Sequence, residues 1–103
     1  LNNQETEALL RECVIKFGPK DQIIMLAEET GELMQAMSKL VRGRIAPMEL
    51  AAEMADVLIV LSQVPHIVSE MTAGAVTPDN FQQWVEHYHS QKLERLRSTV
   101  RGF

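Results

Sequence analysis

A chain of 103 residues with a net charge of −4 and 46% hydrophobic residues fits one domain with an adequate but not generous core. Its acidic balance, with a pI near 5.3, argues against a nucleic-acid polymer as partner, although a metal ion can still carry phosphate to an acidic site. Its single cysteine, Cys13, excludes an internal disulfide or a cysteine-rich zinc site and fits a reducing, cytoplasmic setting; the longest apolar run, Val57 to Leu61, is too short for a bilayer, so no membrane partner is expected.

In chain order, the first predicted helix runs from about Asn3 to Phe17, where Gly18 and Pro19 stop it. The second runs from about Lys20 to Arg42. Gly43 ends it, and Lys39 and Arg42 suit the negative end of its dipole. The third begins near Pro47, a favoured first-turn residue, and continues at least to Val64, where Pro65 ends or kinks it. The stretch "MTAGAVTPDN", residues 71–80, reads as a loop leading to an N-cap at Thr77 and a last helix reaching about Arg97. With no period-2 strand, long repeat or linker, residues 1–103 form a single all-α domain, an antiparallel bundle of about four helices.

Two stretches of this pattern are costly. "EETGEL", residues 28–33, sets three glutamates within one and a half turns, and "EMAD", residues 53–56, adds Glu53 and Asp56. At 100° per residue, Ile23, Leu26, Thr30, Leu33, Met34, Met37, Leu40 and Val41 form the expected core face of the second helix. Glu29 stands at its edge, Glu32 about 60° further round, and Glu28 toward the polar side near Lys39. On the third helix, Glu49, Glu53, Asp56 and Gln63 share a stripe. The run "VLIVL" after Asp56 is apolar all round, the pattern of a buried helix. A buried carboxylate must be protonated, paired or metal-bound. Either acid stretch alone fits a solvated helix face. Together, two i, i+3 acid pairs on helices joined by a short turn can face each other, each pair spanning about 5–6 Å at Cβ, and make an oxygen site suited to Mg²⁺ or Mn²⁺.

Glu28-Glu29-x-x-Glu32, twenty residues, then Glu53-x-x-Asp56 resembles the EExxE…ExxD signature of the all-α nucleoside triphosphate pyrophosphohydrolases, and most of all the small MazG-like proteins. The likeness covers about residues 20–64, with a weaker echo in "KLERL". It implies Glu29, Glu32, Glu53 and Asp56 as metal ligands and Glu28 as an accessory acid orienting a water or lysine. It also implies Mg²⁺-dependent attack of water on the α-phosphorus of a nucleoside triphosphate, deoxy or noncanonical, in nucleotide-pool cleaning. Lys92 and Arg95 are its implied phosphate-binding residues. Lys39, with Arg42 and Arg44, either guides phosphates or caps the second helix. Two alternatives stand beside it: phosphoribosyl-ATP hydrolysis, and a non-enzymatic helical module holding a structural ion.

Other residues read more plainly. His87 and His89 are two apart and diverge on a helix. The single Glu86-x-x-His89 lacks the second copy that a di-iron bundle needs, and His66 reads as structural. Trp84, spaced with Phe81 and Tyr88, reads as core or interface. The apolar run of the third helix needs more cover than three short neighbours give, so a homodimer or homotetramer is expected.

Overall fold

The computed structural model describes residues 1–103 as helices joined by short turns. They are α1 (Asn3–Phe17), α2 (Pro19–Val41), α3 (Pro47–Leu61), α4 (Val64–Met71) and α5 (Pro78–Arg101). Asn2 caps α1, its side chain accepting from the Glu5 N–H at 2.8 Å, and Thr77 caps α5 by accepting from the Asn80 N–H at 3.1 Å. Gly18 takes φ +92° between α1 and α2, where its N–H closes α1 on the Val14 carbonyl at 2.9 Å. Only glycine adopts that backbone without strain.

The expected third helix is divided. Its break falls at Ser62–Gln63, before Pro65, which then occupies the first turn of α4. Proline lacks the N–H that a continuous helix would use, so it is tolerated only after a fresh start. Four expected helices therefore become five segments. By length and composition alone, Pro47–Met71 is apolar enough to cross a membrane, but it turns midway and carries Glu53 and Asp56.

The most extensive pairing is the antiparallel hairpin of α2 and α3. Its inward stripe on α2 is Gln22, Leu26, Glu29, Leu33, Ala36 and Leu40, all buried or half-buried, at alternating spacings of four and three. On α3 the matching stripe is Leu50, Glu53, Val57 and Val60. This is the spacing of two helices meshing along a coiled-coil-like seam. The expected core face of α2 was thus too broad. Leu26, Leu33 and Leu40 do face inward, whereas Ile23, Thr30, Met34, Met37 and Val41 remain exposed, about 90° away round the helix.

The small core at the other end holds Leu10, Val14 and Ile67, where α1 packs on α4. There His66 is buried, and its Nε2 lies 2.7 Å from Glu7 Oε2, tying α4 to α1. The last helix packs chiefly on α4, and none of its residues is buried.

Candidate active site

Glu29 and Glu53 are members of the α2–α3 seam, so the helix pairing itself pushes their carboxylates together. One oxygen each from Glu29, Glu53 and Asp56 lies within 4.8 Å of the others. Glu29 and Glu53 are half-buried and Asp56 is exposed. Glu29 Oε2 and Glu53 Oε2 are shielded from solvent and have no hydrogen-bond partner. Glu29 is held above the ordinary glutamate range. Burial is the first cause, followed by the charges of Glu32, Asp56 and Glu53.

Shielded carboxylate oxygens that lack partners and repel one another fit a cation. An all-oxygen donor set with one solvent-facing side suits Mg²⁺ or Mn²⁺, which keep part of their water shell. No basic side chain makes an ion pair with any of the three; the ion pairs in the chain are His66–Glu7 and Arg97–Glu94.

Two clefts flank the group. The larger, about 540 Å³, is lined by Glu28, Glu29 and Asp56 together with Phe17, Met25 and Gln63. The smaller, about 150 Å³, is lined by Glu32, Gln35, Lys39, Ile45, Glu49 and Glu53. Glu28 therefore opens onto the large cleft, on the opposite side of the cluster from Lys39, whereas the sequence placed it near that lysine. The two share an angular sector of α2, but three turns separate them.

The structure brings together Glu29, Glu53 and Asp56. Glu32 stays outside this close group because its i+3 position rotates it off the seam, although its charge still reaches Glu29. Lys92 and Arg95 line neither cleft, because α5 packs on α4 instead of against the hairpin. Sequence reasoning missed the buried carboxamides of Gln22 and Gln63. The signal available for Gln63 was its place on the stripe of Glu53 and Asp56.

A family model described as the MazG nucleotide pyrophosphohydrolase domain matches residues 17–94. The chain belongs to this family. The matched span contains both helices of the acid hairpin, α4 and most of α5, so the MazG domain includes Glu28, Glu29, Glu32, Lys39, Glu53, Asp56 and Lys92, and ends one residue before Arg95. No curated protein and no solved structure matches the chain.

Proposed function

We propose that this MazG-family chain is a Mg²⁺-dependent nucleoside triphosphate pyrophosphohydrolase, acting on deoxynucleoside or noncanonical triphosphates in nucleotide-pool cleaning. The observation that carries the reading is the convergence of Glu29, Glu53 and Asp56 oxygens within 4.8 Å. Two of these residues have a shielded, unpartnered oxygen.

Glu29, Glu53 and Asp56 would hold the metal, with Glu32 adjoining them. When bound, the divalent cation neutralises phosphate charge and lowers the pKa of a water. Glu28, on the wall of the large cleft, orients the attacking water and accepts its proton. Lys39, on the small cleft with Glu32 and Glu53, supplies positive charge to the leaving pyrophosphate. Water attacks the α-phosphorus, the bond to the bridging oxygen breaks, and the products are the nucleoside monophosphate and pyrophosphate. Such chemistry asks for positioning and charge stabilisation and needs no covalent nucleophile.

The enzyme acts as a homodimer or homotetramer. The chain exposes 7912 Å², against about 5800 Å² for a folded monomer of 11.6 kDa. Its radius of gyration is 16.5 Å, against about 13 Å for a compact domain of this length. The excess, about 2000 Å², is on the scale of an obligate interface. Exposed Met34, Met37 and Val41 on α2, and Trp84, Tyr88 and Leu96 on α5, are the apolar groups such an interface would cover. A second copy would also bring another α5, with its Lys92 and Arg95, to the assembly.

Incubation with a panel of ribo-, deoxyribo- and modified triphosphates and Mg²⁺, with phosphoribosyl-ATP included, tests the reading. Monophosphate and intact pyrophosphate from at least one triphosphate are expected. No turnover of any would overturn it.

A further inference from the structure

The large cleft has a floor that the hydrolytic chemistry leaves unused. Two carboxamides lie there, Gln22 on α2 and Gln63 at the α3–α4 turn, only 5% and 3% exposed. Gln22 Oε1 accepts a long hydrogen bond of 3.7 Å from Cys13 Sγ, and a thiol is a weak donor. The Gln63 side chain has no hydrogen bond, and its Oε1 is shielded and unpartnered.

Helix structure does not account for Gln63. It sits at the N-cap of α4, yet its side chain caps nothing; the His66 and Ile67 N–H groups donate to its backbone carbonyl instead. Packing does not account for it either, since leucine or methionine fills the same space without burying an unpaired amide.

The placement of the two amides is regular. Gln22 precedes Glu29 by seven residues and Gln63 follows Asp56 by seven, a rise of about 10 Å along a helix. Because α2 and α3 run antiparallel, both amides fall at the same end of the hairpin. Phe17, Ile24, Met25 and Ile59 line the same cleft. A single cavity of about 540 Å³ thus joins acids at one end to apolar walls and buried amides at the other. Its size lies within the range that holds small organic ligands.

We propose that Gln63, with Gln22 on the same floor, reads the hydrogen-bonding edge of the nucleobase. This rests on the nucleotide reading given above. A carboxamide presents a donor and an acceptor side by side, the pattern found on base edges. A site whose buried polar group is left unpaired by the wrong ligand rejects that ligand strongly. Gln63 is therefore a specificity-determining residue, while the acid end takes the phosphates whatever the base.

The test is calorimetric binding of the four deoxynucleoside monophosphates, and separately of inorganic pyrophosphate, to the full chain with Mg²⁺. Wild type is compared with Gln63→Leu and Gln63→Met. Methionine keeps the length of the glutamine side chain, so a folded variant is available even if leucine packs badly. Wild type should rank the four nucleotides unequally. The variants should bind the preferred one at least tenfold more weakly, flatten the ranking and leave pyrophosphate binding unchanged. A folded variant that keeps the wild-type ranking and affinity, or that loses pyrophosphate binding in step with nucleotide binding, would overturn the proposal. A wild type that binds pyrophosphate but no nucleotide would overturn the nucleotide reading itself, and this inference with it.

Discussion

Glu29 and Glu53 occupy facing positions in the α2–α3 seam, where their neighbours along the stripe, Leu26, Leu33, Val57 and Val60, are apolar. Each has an oxygen shielded from water and without a partner. The hairpin thus buries two like charges at places where aliphatic side chains would pack at lower cost. An ion held between them would resolve that conflict.

Mg²⁺ or Mn²⁺ should therefore raise the melting temperature of the wild type. A ligand confined to the folded state stabilises it by about 2.7 kcal/mol at a hundred times its dissociation constant. Glu53→Gln and Asp56→Asn should lose most of that shift. Calorimetry with and without the ion measures it, and equal shifts in all three proteins would remove the metal site.

The metal-free protein should respond to pH through Glu29. An acid whose pKa is raised by folding opposes folding when ionised. That cost is present at neutral pH and is relieved as pH falls through the raised value. Glu29→Gln should melt higher than wild type at pH 7 without metal, and the gain should shrink toward the ordinary glutamate value of 4.5. Thermal melts across that range in a chelator decide it; a variant less stable at pH 7 would contradict the burial and charge crowding described for Glu29.

Much of this was legible in the sequence, because it was carried by local signals. Gly18, Pro19, Pro47 and Thr77 mark helix ends through their own backbone chemistry, and each stands at one. The acid pairs were legible because their spacing is helical. The rotation of α2 was less so. Periodicity sums every apolar face, and α2 has two: the seam through Leu26, Leu33 and Leu40, and the exposed strip through Met34, Met37 and Val41. Nothing local distinguishes a face that meets α3 from one left uncovered. The course of α5 was equally opaque, since it depends on which elements it packs against.

The pair of His66 and Glu7 should matter to stability, because it ties α4 to α1 across the smaller core. Glu7→Ala leaves a buried imidazole nitrogen without its acceptor, at a cost of about 1–3 kcal/mol. Glu7→Gln, which keeps an acceptor oxygen, should cost less. Urea unfolding followed by circular dichroism separates the two, and equal stability of all three proteins would show the contact to be idle.

The uncovered strip on α2 should act in self-association. Met37→Glu places a charge on it without touching the seam. Light scattering should show a dimer or larger assembly for wild type and a smaller mass for the variant, with helical content preserved. A wild-type monomer at micromolar concentration would contradict the oligomeric reading.

The central claim is that this acid hairpin directs water to the α-phosphorus of a nucleoside triphosphate. The most direct measurement is turnover of a deoxynucleoside triphosphate with Mg²⁺ in ¹⁸O-labelled water, with products resolved by mass. The label should appear in the monophosphate, with pyrophosphate released intact and unlabelled. Glu53→Gln should lower kcat by about 10²–10³-fold, the usual loss when one preorganised charge-stabilising group is removed. Label in the pyrophosphate would place the attack at the β-phosphorus, and release of orthophosphate with a nucleoside diphosphate would mean a different hydrolysis; either result would contradict the account.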